Sequence, residues 1–225
     1  MPKISVIIPT YNEEACIGRA LAALREMEGD WEVIVADGGS GDATASIARA
    51  AGVRVVEGAR GRGPQMNRGA AEATGDVLLF LHADTRLPAD AHALVMDALA
   101  NPDAAGGCFC LRFDDDHRFL RFSAFCTRFS CRFFHYGDEA YFVRAEVFRR
   151  LGGYRPYPIM EDLDFWLRLR RAGRAIVVPT PVVTSARRFR RHGVYRQQLL
   201  GAALVGLFLA GVNPHTLKRF YDEVR

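Results

Sequence analysis

Apolar runs and amphipathic segments alternate along the first hundred residues. Short apolar runs predict four buried strands, over residues 3–9, 31–36, 53–56 and 76–81. Segments with apolar residues at helical spacing predict four helices between and after them, from Asn12 and over residues 43–51, 64–74 and 88–99. Because strands that alternate with helices in this way form a parallel sheet with right-handed crossovers, we predict an α/β fold.

Polar residues follow three of these strands. In such sheets ligands bind beyond the carboxyl ends of the strands, so a shared site is predicted where the strands end on Pro9-Thr10-Tyr11, Asp37-Gly38-Gly39 and His82-Ala83-Asp84. Asp37 alone is equally well explained as a turn former, since Asp-Gly is a common turn pair. At the helix starts, Asn12 is expected to cap the first helix and Pro64 to open the third.

The second half has a different pattern. Phe122, Phe125, Phe129 and Phe133 recur at helical spacing and predict an amphipathic helix over residues 117–134, with this aromatic stripe in the core. A strand at 140–143, helices at 145–151 and 160–172, extended pieces at 176–178 and 182–184, and a helical tail from Val194 follow. No linker is visible, so we expect one domain, 1–225, with halves 1–103 and 104–225.

Composition narrows the functional classes. A net charge of +4 on 225 residues is too small to argue for nucleic acid. Residues 144–196 nevertheless contain 13 arginines and four acids, which suits phosphates or an anionic membrane, or simply a solvated helix face. Five cysteines without metal-finger spacing, and no targeting segment, favour a reducing cytoplasm.

Three environments fit the apolar C-terminal helix. Its longest apolar run, residues 199–212, is shorter than the roughly 20 residues that span a bilayer. We expect a buried helix; the alternatives are an interfacial helix at the inner face of the membrane, preceded by basic residues, and a homodimer face.

Several motifs resemble those of bacterial-type family 2 glycosyltransferases with the GT-A fold, in the same order and over nearly the whole chain. They are ISVIIPTYNEE (4–14), VADGGSGDAT (35–44), LFLHADT (79–85), GD with FVR (137–144), and GGY with MEDLD (152–164). GRGPQMN (61–67), LHADT (81–85) and TSARRF (184–189) further resemble a small subgroup known from arsenosugar biosynthesis clusters.

This resemblance implies transfer of a sugar, with inversion at its anomeric carbon, from a nucleotide-diphosphate sugar to the hydroxyl of a small-molecule or lipid-linked acceptor. The first half would bind the nucleotide and the second the acceptor. Such chemistry needs a divalent cation, Mn²⁺ or Mg²⁺, to offset charge on the leaving diphosphate, and a general base for the acceptor hydroxyl.

The family pattern assigns roles by position. In the expected donor site are Pro9, Tyr11, Glu13, Asp37, Gly38, Arg62, Met66, Asn67, His82, Asp138, Arg187 and Arg188. Asp84 is the expected metal ligand, and His192 is a candidate second ligand. The first acid of the family's DxD element is replaced by His82, so the metal would rest on Asp84 and diphosphate oxygens. Asp162 is the expected base, with Glu161 beside it.

Two other functions fit parts of the sequence. A sugar-phosphate nucleotidyltransferase shares the sheet but would carry a glycine-rich basic loop directly after the first strand, where this chain has Pro9-Thr10-Tyr11. A degenerate, non-catalytic binding module is favoured by His82 but opposed by the retention of Asp84 and Asp162.

Overall fold

The computed structural model describes residues 2–129 and 137–221, and in them an eight-stranded sheet is flanked by helices. Its strands are β1 (Ile4–Thr10), β2 (Trp31–Asp37), β3 (Arg54–Glu57), β4 (Val77–Phe80), β5 (Thr85–Arg86), β6 (Ala104–Phe113), β7 (Tyr141–Arg144) and β8 (Arg174–Thr184). Its helices are α1 (Glu14–Arg25), α2 (Thr44–Ala50), α3 (Arg62–Ala71), α4 (Ala91–Leu99), α5 (Arg118–Cys126), α6 (Ala145–Arg150), α7 (Glu161–Ala172), α8 (Arg187–His192), α9 (Val194–Leu209) and α10 (Pro214–Leu217).

The strand order is β3-β2-β1-β4-β7-β6-β8-β5. The first four strands run parallel, with Ile4 of β1 opposite Trp31 of β2 and Val77 of β4. β7 is antiparallel to β4 and β6, β8 is parallel to β6, and β5 is antiparallel to β8. This arrangement confirms the predicted α/β fold with a mostly parallel sheet.

Alternate residues of the central strands fill two apolar layers, because side chains along a strand point to opposite faces. Val6 and Ile8 pack on one face with Ile17, Leu21 and Leu24, the predicted apolar face of α1. On the other face Ile7 joins a cluster that includes Phe80, Phe165 and Trp166. The sheet is therefore covered on both sides, as its apolar strands require.

Several local predictions were wrong. Asn12 does not cap α1; it has a φ of 54°, and its Oδ1 accepts a hydrogen bond from the Gly41 backbone N at 2.9 Å. Pro64 is the third residue of α3 rather than the first. The two extended pieces near the C-terminus belong to one strand, β8, and β6 was not predicted at all.

The aromatic stripe was also predicted wrongly. Helix α5 ends at Cys126 and buries Leu120, Ala124 and Cys126. Phe122, Phe125 and Phe129 are exposed instead, by 62, 52 and 55%. Residue 133, the last of the predicted stripe, lies outside the described residues.

The C-terminal helix is buried on one side only. α9 buries Gln197, Leu204 and Val205, while Tyr195 and Leu199 are exposed by 61 and 72%. The expectation of a buried helix therefore holds for its inner face alone. Within residues 2–129 and 137–221, none of the helices has both the length and the apolarity that crossing a bilayer requires.

Candidate active site

A cavity of about 570 Å³ opens beyond the carboxyl ends of β1 and β4, between the two halves of the chain. Two of the three polar strand ends reach it, Pro9-Thr10-Tyr11 and His82-Ala83-Asp84. The second half closes it with residues from α7, α8 and α9. Ten of the predicted site residues line this cavity: Pro9, Tyr11, Glu13, Arg62, His82, Asp84, Asp138, Asp162, Arg187 and Arg188.

Charged side chains from both halves pair inside this cavity. Nδ1 of His82 lies 2.9 Å from Oδ1 of Asp138. The Arg187 guanidinium lies 2.9 Å from Oε1 of Glu13 and 3.3 Å from Oδ2 of Asp84. α8 is thereby tied to the segments that follow β1 and β4, which brings an arginine, a bidentate donor to anionic oxygens, into the cavity.

The pKa values of this cluster follow from burial and pairing. Burial raises the pKa of Asp84, and the neighbouring Asp138 carboxylate adds to this rise, while His82 and Arg187 oppose it. Burial would also raise the pKa of Asp138, but the hydrogen bond and charge of His82, with Arg62, lower it to about 2. Burial alone would lower the pKa of His82, and the bond to Asp138 raises it instead. His82 and Asp138 therefore favour an ion pair.

The adjacent acids at the start of α7 face different surroundings. Glu161 is 1% exposed, and its Oε1 lies 2.7 Å from Nε of Arg62 on α3. Burial raises the pKa of Glu161, against the effect of Arg62. Asp162 lines the cavity, and its Oδ1 accepts a hydrogen bond from the Leu163 backbone N at 2.7 Å. Of the two, Asp162 is the carboxylate that faces the cavity.

The Arg62–Glu161 pair has a testable structural role. Glu161→Gln is expected to lower the free energy of unfolding by about 2 kcal/mol, because a hydrogen bond to a charged group is lost at a buried position. Urea denaturation measures this change. The matched control is Glu72→Gln, whose pair with Arg54 is about half exposed on both sides and should change stability by less than about 0.5 kcal/mol. Equal losses in the two variants would contradict the role.

Asp37 and Gly38 do not reach the cavity. Asp37 is 1% exposed, and its carboxylate accepts hydrogen bonds from Thr10 Oγ1 at 2.9 Å and from the backbone N of Gly39 and Ser40 at 2.9 and 2.8 Å. The Gly38 backbone N donates to the Thr10 carbonyl. The structure thus supports the turn-forming role of Asp37, which braces β1 against β2.

Three further predicted residues also lie away from the cavity. Met66 is buried in the apolar layer beneath α3. The Asn67 amide donates to the Tyr154 carbonyl and accepts from the Tyr154 backbone N, both at 2.8 Å, so it joins the two halves instead of facing a ligand. His192 ends α8 and is not among the residues that line the cavity.

Other residues of the site had no clear signal in the sequence. Gln65 is 2% exposed, and its Nε2 donates to the carbonyls of Thr10 and Ala36 at 2.7 and 2.8 Å. These bonds fix the glycine- and arginine-rich loop at residues 58–63 over the strand ends. The Arg60 guanidinium stacks over the Tyr11 ring, 4.3 Å from its centroid. Only the basic composition of the loop hinted at that contact.

Strained backbone also marks the site. Met160, directly before Glu161, has a φ of 65°, and Ala140, two residues after Asp138, has a φ of 50°. A left-handed conformation costs a residue with a side chain about 1 kcal/mol, and such residues cluster at functional sites. Local sequence does not predict either conformation.

The carboxylates fit a cation that is shared with a ligand. Among the residues described, no group of three or more His, Cys, Asp or Glu side chains could hold a metal ion by itself. Asp84 faces the cavity near Asp138 and Glu13, and burial, together with the negative charge of these two neighbours, raises its pKa against the effect of His82 and Arg187. A hard cation that keeps diphosphate oxygens in its shell needs few protein ligands, so this donor set fits such an ion.

The chain belongs to glycosyl transferase family 2, whose family model matches residues 5–158. Its sheet and flanking helices are those of the GT-A fold, as the solved structures below show.

Among its relatives is a "PGL/p-HBAD biosynthesis glycosyltransferase" of Mycobacterium bovis, 33% identical over 180 residues, which are 74% of this chain and 69% of the relative. A mannosyltransferase from Pyrobaculum calidifontis, solved with GDP-Man and Mn²⁺, has a TM-score of 0.73 at 24% identity, over 100% of this chain and 66% of that one. A glucosyl-3-phosphoglycerate synthase from Mycobacterium tuberculosis, solved with Mn²⁺, UDP and phosphoglyceric acid, has a TM-score of 0.64 at 22% identity. It matches 94% of this chain and 79% of its own.

Proposed function

We propose that the chain transfers a hexose from a nucleotide-diphosphate sugar to an acceptor hydroxyl, with a divalent cation at Asp84 and Asp162 as general base. The observation that carries this proposal is that both carboxylates line one cavity at the junction of the two halves. We also propose that residues 1–225 act as one catalytic domain, since each half supplies part of that cavity.

On the donor side, the residues favour a nucleotide diphosphate. Tyr11 with Arg60 offers a flat surface for a base, and Arg187 offers a bidentate fork to phosphate oxygens. Asp84 would hold the cation, which supplies Lewis-acid stabilisation of the leaving diphosphate when bound. The Mn²⁺ complexes of the two solved relatives support this assignment.

His82 takes the place of the first acid of the DxD element. Its ion pair with Asp138 leaves the imidazolium as a donor near the cation site, where it suits an anionic ligand. We propose that the pair orients the donor sugar or ribose across the junction of the two halves, rather than binding the metal. His192 has no support as a second ligand, because it does not line the cavity.

On the acceptor side, the proposal assigns one carboxylate, Asp162, as the base that deprotonates the hydroxyl. We propose that the acceptor oxygen, deprotonated by Asp162, attacks the anomeric carbon as the nucleoside diphosphate leaves, a direct displacement that inverts that carbon. We propose an acceptor that carries an apolar part, because Phe113, Ile159 and Leu204 line that side of the cavity. The motifs at 61–67 and 184–189 support membership of the arsenosugar-type subgroup. The five cysteines, which lack metal-finger spacing, support a location in the reducing cytoplasm.

Thermal shift tests the donor assignment. UDP and GDP are each added with Mn²⁺ and without it, and we expect one of them to raise Tm in the presence of the metal, because binding to the folded state stabilises it. A shift with nucleotide that is indifferent to Mn²⁺ would remove the metal from the proposal. No shift with either nucleotide would contradict the donor class.

Product analysis then separates transfer from the nucleotidyltransferase alternative. Incubation with the matching nucleotide sugar should release nucleoside diphosphate as the sugar passes to an acceptor hydroxyl or to water, whereas a nucleotidyltransferase would instead release pyrophosphate from a nucleoside triphosphate and a sugar phosphate. Binding without any release over long incubation would favour the non-catalytic module.

A further inference from the structure

Helix α5 and the turn that follows it expose three aromatic side chains to solvent. Phe122, Phe125 and Phe129 are each more than half exposed, at 62, 52 and 55%. The helix already has a buried face of Leu120, Ala124 and Cys126, so these rings are not needed for its packing. Large exposed apolar patches commonly mark a surface that meets a partner.

α9 continues this surface. Tyr195 and Leu199, one helical turn apart, are exposed by 61 and 72%. The Tyr195 ring lies 5.2 Å from that of Phe119, at the start of α5, and Nε2 of Gln198 donates to Ser123 Oγ at 3.0 Å. The two helices thus form one face, and we call it the α5–α9 surface, made of Phe122, Phe125, Phe129, Tyr195 and Leu199.

Basic residues predominate around this surface. Residues 117–129 and 187–212 contain no acid and eight arginines: Arg118, Arg121, Arg128, Arg187, Arg188, Arg190, Arg191 and Arg196. Arg118, Arg121, Arg128 and Arg196 are exposed beside the apolar residues. Three acids, Asp114, Asp115 and Asp116, directly precede residue 117; the first two contact Arg190, and Asp116 is exposed. Aromatic residues framed by arginines are the composition that favours insertion at an anionic lipid interface.

The opposite face of the same helices lines the cavity. Its wall contains Ser123 of α5 and Thr127 directly after that helix, with Gln198 and Gly201 of α9. The two helices therefore separate the cavity from the α5–α9 surface by one layer of helix. A molecule held in a bilayer beneath that surface would lie next to the acceptor side of the cavity.

We propose that the α5–α9 surface docks on an anionic lipid bilayer and that the acceptor enters the cavity from that bilayer. The second part rests on the proposed function. Charge complementarity favours this occupant over a second copy of the chain, since a symmetric dimer through this face would bring arginines against arginines. The phenylalanine and tyrosine rings enter the interfacial region, while the arginines meet lipid phosphates.

Vesicle co-sedimentation of the full chain tests the proposal. We expect binding to vesicles of phosphatidylcholine with phosphatidylglycerol, and much weaker binding to phosphatidylcholine alone. The double variant Phe122→Ser/Phe125→Ser should lose about tenfold or more in binding, because two inserted rings are removed. The matched control is Phe220→Ser, which removes a phenylalanine of similar exposure, 64%, outside both helices and should bind like the parent chain.

The remaining outcomes separate this inference from the proposed function. Nucleotide binding is measured on the same variants by thermal shift, without vesicles, and should not change. Intact nucleotide binding with no vesicle binding would overturn the docking surface alone. Vesicle binding without nucleotide binding would overturn the proposed function alone. A concentration-dependent dimer in sedimentation velocity, lost in the double variant and unaccompanied by vesicle binding, would assign the surface to a second copy and overturn the proposal.

Discussion

Asp162→Asn is expected to lower the turnover of sugar transfer by about 10²- to 10⁴-fold, the usual contribution of a positioned general base. The amide keeps the shape of the side chain but cannot take the proton from the acceptor hydroxyl. Because Asp162 faces the cavity while Glu161 is held by Arg62, the loss should fall on turnover and leave nucleotide binding intact. Steady-state kinetics together with nucleotide thermal shift measures both.

The control for this variant lies on the same helix turn. Asp164 pairs with Arg168 at 2.7 Å and Arg155 at 3.2 Å, away from the cavity. Asp164→Asn should lower stability while turnover per folded molecule stays near that of the parent chain. Full turnover in Asp162→Asn would refute the assignment of the base, and equal losses of turnover in both variants would point to the integrity of α7 instead.

Asp84→Asn is expected to weaken metal-dependent nucleotide binding by about 100-fold or more, since the charge of the main protein ligand to a hard cation is lost and such a cation contributes several kcal/mol. The same change also removes one of the two carboxylate partners of Arg187 and leaves Glu13. The shift in Tm with nucleotide should therefore become nearly independent of Mn²⁺. A titration of nucleotide at several Mn²⁺ concentrations gives the affinity in each case.

Asp90→Asn provides the comparison for this second variant. Asp90 is an exposed acid near the start of α4, beside a separate cavity that contains none of the polar strand ends. Its removal changes the net charge by the same amount as Asp84→Asn and should leave the metal dependence unchanged. If the two variants respond alike, the effect of Asp84 is one of general charge, and the metal assignment fails.

The first half of the fold was predictable because its signals are local. Strands β1 to β4 are continuous apolar runs, and the face of α1 repeats at helical spacing. β6 was missed because Gly106 and Gly107 lower its strand propensity. Both glycines are required by distant residues, since a Cβ at either position would collide with a backbone carbonyl, of Phe142 on β7 or Ile176 on β8.

The site was predictable in its outline but not in its division of roles. The motifs brought Tyr11, Asp84 and Asp162 together, because strand ends and the α7 start converge in this fold. Asp37 and Asn67 have the same residue types as binding groups, yet their hydrogen bonds are satisfied by Ser40, Thr10 and Tyr154. The local sequence does not show which polar side chains already have hydrogen-bond partners within the fold. That information lies in contacts between residues up to 87 positions apart.

The place of β7 in the sheet has a consequence for how the chain is made. β7 sits between β4 and β6, and β8 pairs with β6. When only the first hundred residues have left the ribosome, the edge of β4 that will pair with β7 is therefore still unpaired. An open strand edge of this kind is prone to pairing with other chains. Since β8 ends at Thr184, the sheet closes only when most of the chain has emerged. Until then, we expect the nascent protein to depend on chaperones.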